Sequence, residues 1–397
     1  MNDLSVAPRA SVLNVEDLAQ VARQAAHVVS QVRDRVLSPA TRKSPPLHSA
    51  QRLASICGID KSNVSKRIGK GDLPAGTVRV PGNRREFTLA EVRAWTKVYR
   101  VAAARPAGAP AIVITASNFK GGSTKTTTVM TLAQGLSLRS HRVLVIDLDP
   151  QGSLTTLFGI LPDAEISEEE TLAPLCDGTE SSVRYAIRST YWDGIDLVPA
   201  SPSLFGAEFM LPARQNAEKG FRFWDVLNAG LDDVRQDYDV IVIDTSPSLS
   251  YLTINALMGS DGIIVPMPPN ALEFCSSGQF WNLFSDFATS LSKSRNVQKT
   301  WDFVHVLPSK VNMVQPSTAV VLSWIATTYG ELVLPVHIPM TTVTDSSSTE
   351  LKTVYDLSKY EGSNATFVRA RDAYDSMVDM VEKSIGTAWA RKLAARS

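Results

Sequence analysis

Apolar side chains recur at alternating intervals of three and four residues near the start of the chain. The repeat runs through Val15, Leu18, Ala22, Ala25, Val29, Val32 and Val36. It predicts a helix with an apolar seam about three heptads long. Asn14 is a capping residue with Asp17 in the first turn behind it, and Ser38-Pro39 ends the pattern. The strict repeat favours a helix that pairs with its twin; a helix lying on its own domain is the alternative.

A different pattern begins after residue 110, where apolar runs rich in Val and Ile alternate with helical segments. Unbroken apolar runs of this length are typical of parallel strands covered on both faces. They predict a doubly wound α/β domain with a mostly parallel sheet. The predicted strands are 111–115, 142–147, 195–200, 239–244, 262–267, 302–309 and 331–339.

The charge of the chain divides at the same place. The 397 residues carry 40 basic and 40 acidic side chains, yet residues 1–110 hold 18 basic against 8 acidic. A basic front end on an acidic body indicates two modules, one of which meets polyanions. An Ala/Pro/Gly linker at 103–110 separates them. We predict three parts: a dimerisation helix in 1–40, a basic domain in 41–105 and an α/β domain in 106–397.

Several classes of protein are disfavoured by composition. Cys57, Cys176 and Cys275 lie far apart with no CxxC pair, which argues against a disulfide framework, a zinc site and an iron–sulfur carrier. No apolar run approaches the ~18 residues of a membrane span, and the N-terminus lacks a signal sequence. The expected location is therefore the cytoplasm.

The strongest chemical signal is a glycine-rich segment between strand 111–115 and a predicted helix. Residues 117–128 read SNFKGGSTKTTT. A turn of this kind aims backbone N–H groups and the positive end of a helix dipole at one point, where a phosphate binds. Lys125 is placed to reach the β- and γ-phosphates of a nucleotide, and the Thr126 hydroxyl to ligate Mg²⁺.

Phe119 and Thr124 occupy the two glycine positions of the strict P-loop pattern. The remaining KGG-x-x-KT resembles the deviant Walker A motif of the ParA/MinD-type ATPases. The resemblance covers about 111–385 and implies ATP and Mg²⁺ as cofactors. It also implies that Lys120 reaches the nucleotide of a partner subunit. We expect Gly121, Gly122, Ser123, Thr124 and Thr127 to surround the phosphates beside the two lysines. A Cβ at Thr124 is expected to weaken binding or slow turnover.

Two further motifs follow in the order of that family. Residues 147–152 read DLDPQG, and we expect Asp147 to lie near the metal. The resemblance implies that Asp149 orients the attacking water. Residues 239–253 form an apolar strand that ends in Asp244, which is typical of a Walker B carboxylate near Mg²⁺. Ser246 departs from the family's switch sequence after it.

Polar residues after two later strands are candidates for contacts with base and ribose. They are Asn270, Glu273, Ser309, Lys310 and Asn312. Each has an equally simple reading as a polar residue at the end of a loop.

The basic front end predicts a winged helix-turn-helix. Residues 49–68 fit two helices around Gly58, with Leu53, Ala54, Ile56, Val64 and Ile68 buried and Asp60 or Ser62 as the second cap. A hairpin follows over 78–87, and Thr88 with Glu91 forms a capping box. Residues 41–105 carry 14 basic and 4 acidic side chains, which suits binding to DNA phosphates. The expected DNA contacts are Lys61, Asn63, Ser65, Lys66, Arg67, Arg79, Arg84 and Arg85.

These features resemble the longer, plasmid-type ParA proteins, which implies a partition ATPase that dimerises on ATP. The resemblance further implies nonspecific binding to nucleoid DNA, stimulation by a ParB-type partner, and repression of its own operon at an operator. Lys352, Lys359, Arg369 and Arg371 are candidates for the nonspecific DNA surface. Two alternatives remain: a MinD-like membrane-cycling ATPase, for which the C-terminal Trp389, Arg391, Lys392, Leu393 and Arg396 are suggestive, and a nucleotide-switched repressor without significant turnover.

Overall fold

The computed structural model describes residues 14–36, 43–79, 84–118, 120–122, 124–341, 351–358 and 362–395. The chain divides into two compact units, 1–43 and 44–397. Phe119, Ser123, Lys359 and Arg396, the predicted helix end at Ser38-Pro39 and the tip of the predicted hairpin lie outside the described residues. None of the described helices is long and apolar enough to cross a membrane.

The first unit contains the predicted helix, α1 (Val15–Val36). The Asn14 side chain caps it as expected, accepting from the backbone N–H of Asp17 at 2.9 Å, while Asp17 accepts from the N–H of Asn14 at 2.9 Å. Val15 and Leu18 on the apolar seam are 81% and 56% exposed. The apolar side chains at the start of the seam therefore face solvent.

The second unit begins with three helices and a small sheet. Helices α2 (Ala50–Cys57) and α3 (Lys61–Lys70) are joined through Gly58, whose φ of +68° is the left-handed conformation that glycine adopts readily. Strands β1 (His48–Ser49), β2 (Thr77–Arg79) and β3 (Arg84–Phe87) form an antiparallel sheet of order β1-β3-β2. Helix α4 (Leu89–Tyr99) starts with the predicted Thr88–Glu91 capping box.

The structure corrects two details predicted for this segment, the burial of Ile68 and the cap of α3. Leu53, Ala54, Ile56 and Val64 are buried, but Ile68 is only half-buried. Asp60 is the residue before α3, yet its side chain makes no capping hydrogen bond; its backbone carbonyl accepts from Asn63 instead.

A seven-stranded sheet forms the centre of the second unit among the described residues, in the order β10-β9-β4-β8-β5-β7-β6. All neighbours are parallel except β6, which is antiparallel to β7. The strands are β4 (Ile112–Ala116), β5 (Val143–Asp147), β6 (Arg188–Ser189), β7 (Ile195–Val198), β8 (Val240–Asp244), β9 (Gly262–Met267) and β10 (Phe303–Pro308).

Helices cover the sheet on both faces. They are α5 (Lys125–Leu138), α6 (Ser153–Leu157), α7 (Ala173–Asp177), α8 (Ala207–Ala217), α9 (Val226–Gly230), α10 (Tyr251–Gly259), α11 (Ala271–Arg295), α12 (Pro316–Tyr329) and α13 (Asn364–Ala394). Along β4, Ile112 and Ile114 face one hydrophobic cluster, while Val113 faces the other. This alternation explains why the strands read as unbroken apolar runs. The α/β P-loop fold predicted from the sequence is confirmed.

The prediction of a strand over 331–339 is wrong. The segment starts in a 3-10 turn, Gly330–Leu332, and contacts its neighbours through two single bridges, Val306 with Val333 and Val311 with Pro339. Pro335 and Pro339 lack the N–H that a strand ladder needs, so an apolar run here does not become a strand.

The C-terminal helix is built into the fold. The Trp389 side chain is 1% exposed and its indole N–H donates to the Pro110 carbonyl at 3.1 Å. Lys392 pairs with Asp261 at 2.7 Å. Both residues were the basis of the membrane alternative, and here they hold α13 to the sheet.

Residues 44–105, called the front segment below, also pack against α5 and α13. Arg52 of α2 makes a bidentate ion pair with Asp375, and Arg100, which follows α4, pairs with Glu382. Arg93 of α4 donates to the Ser137 carbonyl of α5 at 2.7 Å. Residues 44–105 thus belong to the same compact unit as the sheet, and the predicted domain boundary at 105/106 stays a prediction.

Candidate functional site

The glycine-rich segment lies at the carboxyl end of β4, in the middle of the parallel sheet. The following helix, α5, begins at Lys125. Ligands of open α/β sheets bind beyond the carboxyl ends of the strands, where strand order reverses. Strand β8, which is next to β4, ends in Asp244, and β5, on the far side of β8, ends in Asp147. The predicted phosphate and metal residues therefore meet at one edge.

A cleft of about 530 Å³ opens at this edge. Of the residues predicted as the phosphate site, it is lined by Gly121, Gly122, Thr124, Lys125, Thr126, Thr127 and Asp149. Lys310, a base-site candidate, also lines it. Lys120 is exposed just before the two glycines.

Lys125 is the buried cation of the cleft, with 6% of its surface exposed. Its ammonium donates to the Lys120 carbonyl at 3.3 Å, which leaves donor capacity for a ligand. Burial lowers the pKa of Lys125, while the Asp244, Asp149 and Glu273 carboxylates act in the opposite direction. An anion in the cleft would stabilise the charge that burial disfavours.

Thr124 precedes α5 in a left-handed conformation, with φ of +71°. A β-branched residue rarely adopts this conformation, and glycine stands at this place in the strict P-loop pattern. Among the residues that the structure describes, the buried Thr124 hydroxyl has no hydrogen-bond partner. Local strain and an unsatisfied hydroxyl therefore coincide where the backbone turns around the cleft.

Asp244 is fully buried, and neither carboxylate oxygen has a hydrogen bond of ordinary geometry among the described residues, although the Thr126 side chain lies near enough to lower the Asp244 pKa. Burial raises its pKa well above the usual value, and the neighbouring Asp147 carboxylate adds to the rise; Thr126 and Lys125 oppose it. Buried carboxylate oxygens without donors fit a hard cation such as Mg²⁺, which takes oxygen ligands.

Asp147 is differently placed. One oxygen accepts from the backbone N–H and hydroxyl of Thr155 at 2.9 and 2.8 Å, and the other from the Asp149 N–H at 3.1 Å. Burial nevertheless raises its pKa to about 7. Through these hydrogen bonds Asp147 stabilises the fold: it anchors α6 and positions the Asp149 backbone.

Asp149 starts the turn after β5 and is partly exposed to the cleft. One of its oxygens accepts from the Gln151 N–H at 3.0 Å, and its carbonyl accepts from Gly152 at 2.8 Å. Gly152 has a φ of +62°, and a Cβ there would lie 2.5 Å from Pro162. The turn is thus fixed while the second carboxylate oxygen can meet a ligand.

The other base-site candidates are used by the protein itself. Asn270 caps α11, accepting from the Leu272 N–H at 2.9 Å, and the Asn312 side chain accepts from Val314 at 3.2 Å. Ser309 is buried beside β9. Burial raises the pKa of Glu273 against the opposing charges of Lys120, Lys310 and Lys125. None of these four lines the cleft as described.

Sequence reasoning did not identify several residues that line the cleft. They are Gln151, Ser153, Thr156, Leu157, Pro247, Ile338, Pro339, Leu351 and Tyr374. Tyr374 comes from α13, far along the chain, and carries no local signal. Gln151, Ser153 and Pro247 belong to the turns after Asp149 and Asp244, where proximity in sequence was a usable signal.

The part of the chain that contains this cleft is similar to known proteins. Residues 111–298 match the family described as AAA domain. A candidate replication protein A from Rhizobium rhizogenes is 29% identical over 370 residues, covering 90% of this chain and 91% of that protein. Protein SopA of Escherichia coli K12 is 31% identical over 256 residues, 63% of this chain and 66% of SopA.

Solved structures extend the likeness. A structure described as a partition protein covers 93% of this chain and 99% of its own, at 20% identity and a TM-score of 0.65, which shows the fold. A Mycobacterium smegmatis structure described as cobyrinic acid a,c-diamide synthase contains bound ADP and magnesium. It is 28% identical, covering 68% of this chain and 93% of its own, with a TM-score of 0.52.

Proposed function

The chain belongs to the ParA-type partition ATPases, and we propose that it hydrolyses ATP in the cleft at residues 121–127 to drive the partition of a plasmid or secondary chromosome. The proposal rests on the buried Lys125 ammonium, which lines the same cleft as Gly121, Gly122 and Asp149 and whose pKa the Asp149 and Asp244 carboxylates raise against burial. A cation and carboxylates around a glycine turn suit a nucleotide phosphate with its metal.

ATP and Mg²⁺ are the cofactors. The backbone N–H groups of residues 121–124, Ser123 among them, and the start of α5 bind the phosphates, and Thr127 lies on the first turn behind them. Lys125 binds the β- and γ-phosphates, and Lys120 reaches the nucleotide of a second subunit. Thr126 and Asp244 hold Mg²⁺, with Asp147 behind them. The metal, when bound, neutralises charge that develops on the phosphate oxygens.

Asp149 orients the attacking water. Its carboxylate is at the cleft and its backbone is fixed by Asp147, so it can position a water without moving. The strained Thr124 is consistent with a weak basal rate. A ParB-type partner raises that rate and ends the ATP-bound state.

Recognition of the base and ribose falls to the loops after β9 and β10. Lys310 is the candidate that lines the cleft. Asn270, Ser309 and Asn312 shape the backbone of those loops through their own hydrogen bonds. In these loops, we expect backbone N–H and C=O groups, as well as the side chains of Asn270, Ser309 and Asn312, to contact the nucleotide.

The front segment is a winged helix-turn-helix that binds an operator, through which the protein represses its own operon. Lys61, Asn63, Ser65 and Lys66 are exposed on α3, the helix that would enter the major groove. Arg79 and Arg84 are cross-strand partners in the wing, and Arg85 follows. Arg67 is less available, because it pairs with Asp72 at 3.0 Å and lies over the Tyr99 ring.

The protein works as a homodimer. Helix α1 pairs two chains through its apolar seam, and ATP closes the sheets of two chains through Lys120. The ATP-bound dimer binds DNA without sequence preference and so associates with the nucleoid.

Lys125→Ala tests the nucleotide site directly. We expect it to abolish ATP binding, measured by calorimetry, while Lys293→Ala on the exposed part of α11 leaves it unchanged. Equal ATP affinity for wild type and Lys125→Ala would refute the site.

A further inference from the structure

A second large cleft, of about 620 Å³, lies within the second unit. One wall comes from the front segment and includes Lys61 and Ser65 of α3 and Arg84 and Arg85 of β3. The opposite wall comes from residues 354–358 and the start of α13, including Arg371. Residues separated by about three hundred positions thus share one surface.

The cleft is strongly basic. The described residues that line it include the cations Arg52, Lys61, Arg84, Arg85 and Arg371, against the single acid Glu86. The charge of Arg52 is matched by Asp375. His48, also in the lining, has a pKa lowered to about 3 by burial and by Arg52, so it adds no charge. Asp372 pairs with Arg371 at 3.0 Å but is 58% exposed, at the rim.

Arg371 is held in a defined place opposite α3. Its guanidinium lies over the Phe367 ring at 5.7 Å. Asp375, one helical turn further along α13, is bound by Arg52 of α2, with one of the two contacts at 2.8 Å. Tyr355 donates to the same carboxylate at 2.8 Å. The distance between Arg371 and the front segment is therefore fixed by a buried ion pair beside it.

We propose that this cleft binds backbone phosphates of operator DNA, and that Arg371 of α13 contributes a phosphate contact beside Lys61, Arg84 and Arg85. The inference rests on the proposed operator binding by the front segment, and it adds a residue of the ATPase part to that surface. Exposed cations continuous with α3 favour a polyanion, and phosphate contacts fix the register of a helix in the groove.

Lys383 provides a control on the same helix. It is exposed and outside the cleft, and it belongs to neither the proposed DNA contacts nor the proposed nucleotide site. Lys383→Ala and Arg371→Ala each remove one positive charge from α13. Arg371→Lys keeps the charge but not the guanidinium geometry.

The experiment measures the affinity of the full chain for the duplex upstream of its own reading frame, across a series of salt concentrations. Arg371→Ala should make the slope of log K against log salt shallower by about 1, as expected for one lost phosphate contact. Lys383→Ala and Arg371→Lys should keep the wild-type slope. Unchanged ATP affinity establishes that Arg371→Ala is folded.

The inference is overturned if Arg371→Ala keeps the wild-type slope while Arg84→Ala makes it shallower, because the front segment then acts alone. It is also overturned if Arg371→Lys loses as much as Arg371→Ala, which identifies a packing role. Failure of the wild type to prefer its upstream duplex over random DNA would instead remove the proposed operator function itself.

Discussion

At the scale of single residues, the site concentrates groups that the folded protein does not satisfy by itself. Within the described part of the chain, the buried Asp244 oxygens have no donor of ordinary geometry and the Thr124 hydroxyl, in a left-handed turn, has no partner, while Lys125 is a buried cation. Each feature costs stability in the free protein. Together they form a cleft that gains from a ligand carrying both a metal cation and phosphates.

Asp244→Asn should stabilise the protein in the absence of nucleotide and magnesium. Because the folded pKa of Asp244 is raised above 3.8, the neutral form is favoured on folding, and stability falls as pH rises above about 4. Asparagine stays neutral. We expect it to raise the free energy of unfolding at pH 7.5 by at least about 1 kcal/mol and to flatten the pH profile.

Urea unfolding across pH 4 to 8 measures this difference. Asp286→Asn, on the exposed face of α11, is the control and should change stability by less than about 0.5 kcal/mol. A loss of stability in Asp244→Asn at pH 7.5 would mean that the carboxylate is satisfied in the free protein.

At the scale of secondary structure, six of the seven predicted strands could be read from the sequence because each is an apolar run that ends at a turn. The segment 331–339 has the same composition, but Pro335 and Pro339 interrupt its N–H groups, and the prediction failed there. Lys125, Asp149 and Asp244 belong to short motifs at or just after the ends of strands, so the local sequence located them. Tyr374 and Arg371 come from α13, and no local pattern indicates which distant element a helix packs against.

The packing of α2 against α13 depends on a buried ion pair. Burial alone would raise the pKa of Asp375, but the Arg52 and Arg139 charges and the hydrogen bonds from Arg52 and Tyr355 hold it below its usual value. Removing the carboxylate leaves Arg52, whose side chain is 10% exposed, without a counter-ion.

We therefore expect Asp375→Ala to lower the free energy of unfolding by about 3–5 kcal/mol. Asp372→Ala, three residues earlier and exposed, should cost less than about 0.5 kcal/mol. Chemical unfolding of the two variants provides the comparison. Equal stability of the two would show that the front segment is not held to α13 by this pair.

At the scale of the whole molecule, the zero net charge combines a basic front of 110 residues with an acidic remainder. The structure places part of the front's charge in a cleft shared with α13. The unequal charge of the two halves was readable from the sequence, whereas the shared surface depends on the fold.

The proposed pairing of two chains through α1 can be tested at its apolar seam. Leu18 lies on the exposed apolar seam, and Gln20 is exposed two residues later on a different face. A charge on the seam opposes helix pairing. Leu18→Lys should shift the nucleotide-free protein from dimer to monomer in sedimentation, and Gln20→Lys should not. A dimer that persists in Leu18→Lys would remove the pairing role of α1.

We propose that ATP switches this protein onto DNA. Binding of the full chain to a random-sequence duplex, measured with ATP and Mg²⁺, with ADP and Mg²⁺, and without nucleotide, tests this switch. We expect binding to random DNA with ATP and little with ADP or no nucleotide, and none of the ATP-dependent gain in Lys125→Ala. Equal binding to random DNA in all three conditions would contradict it.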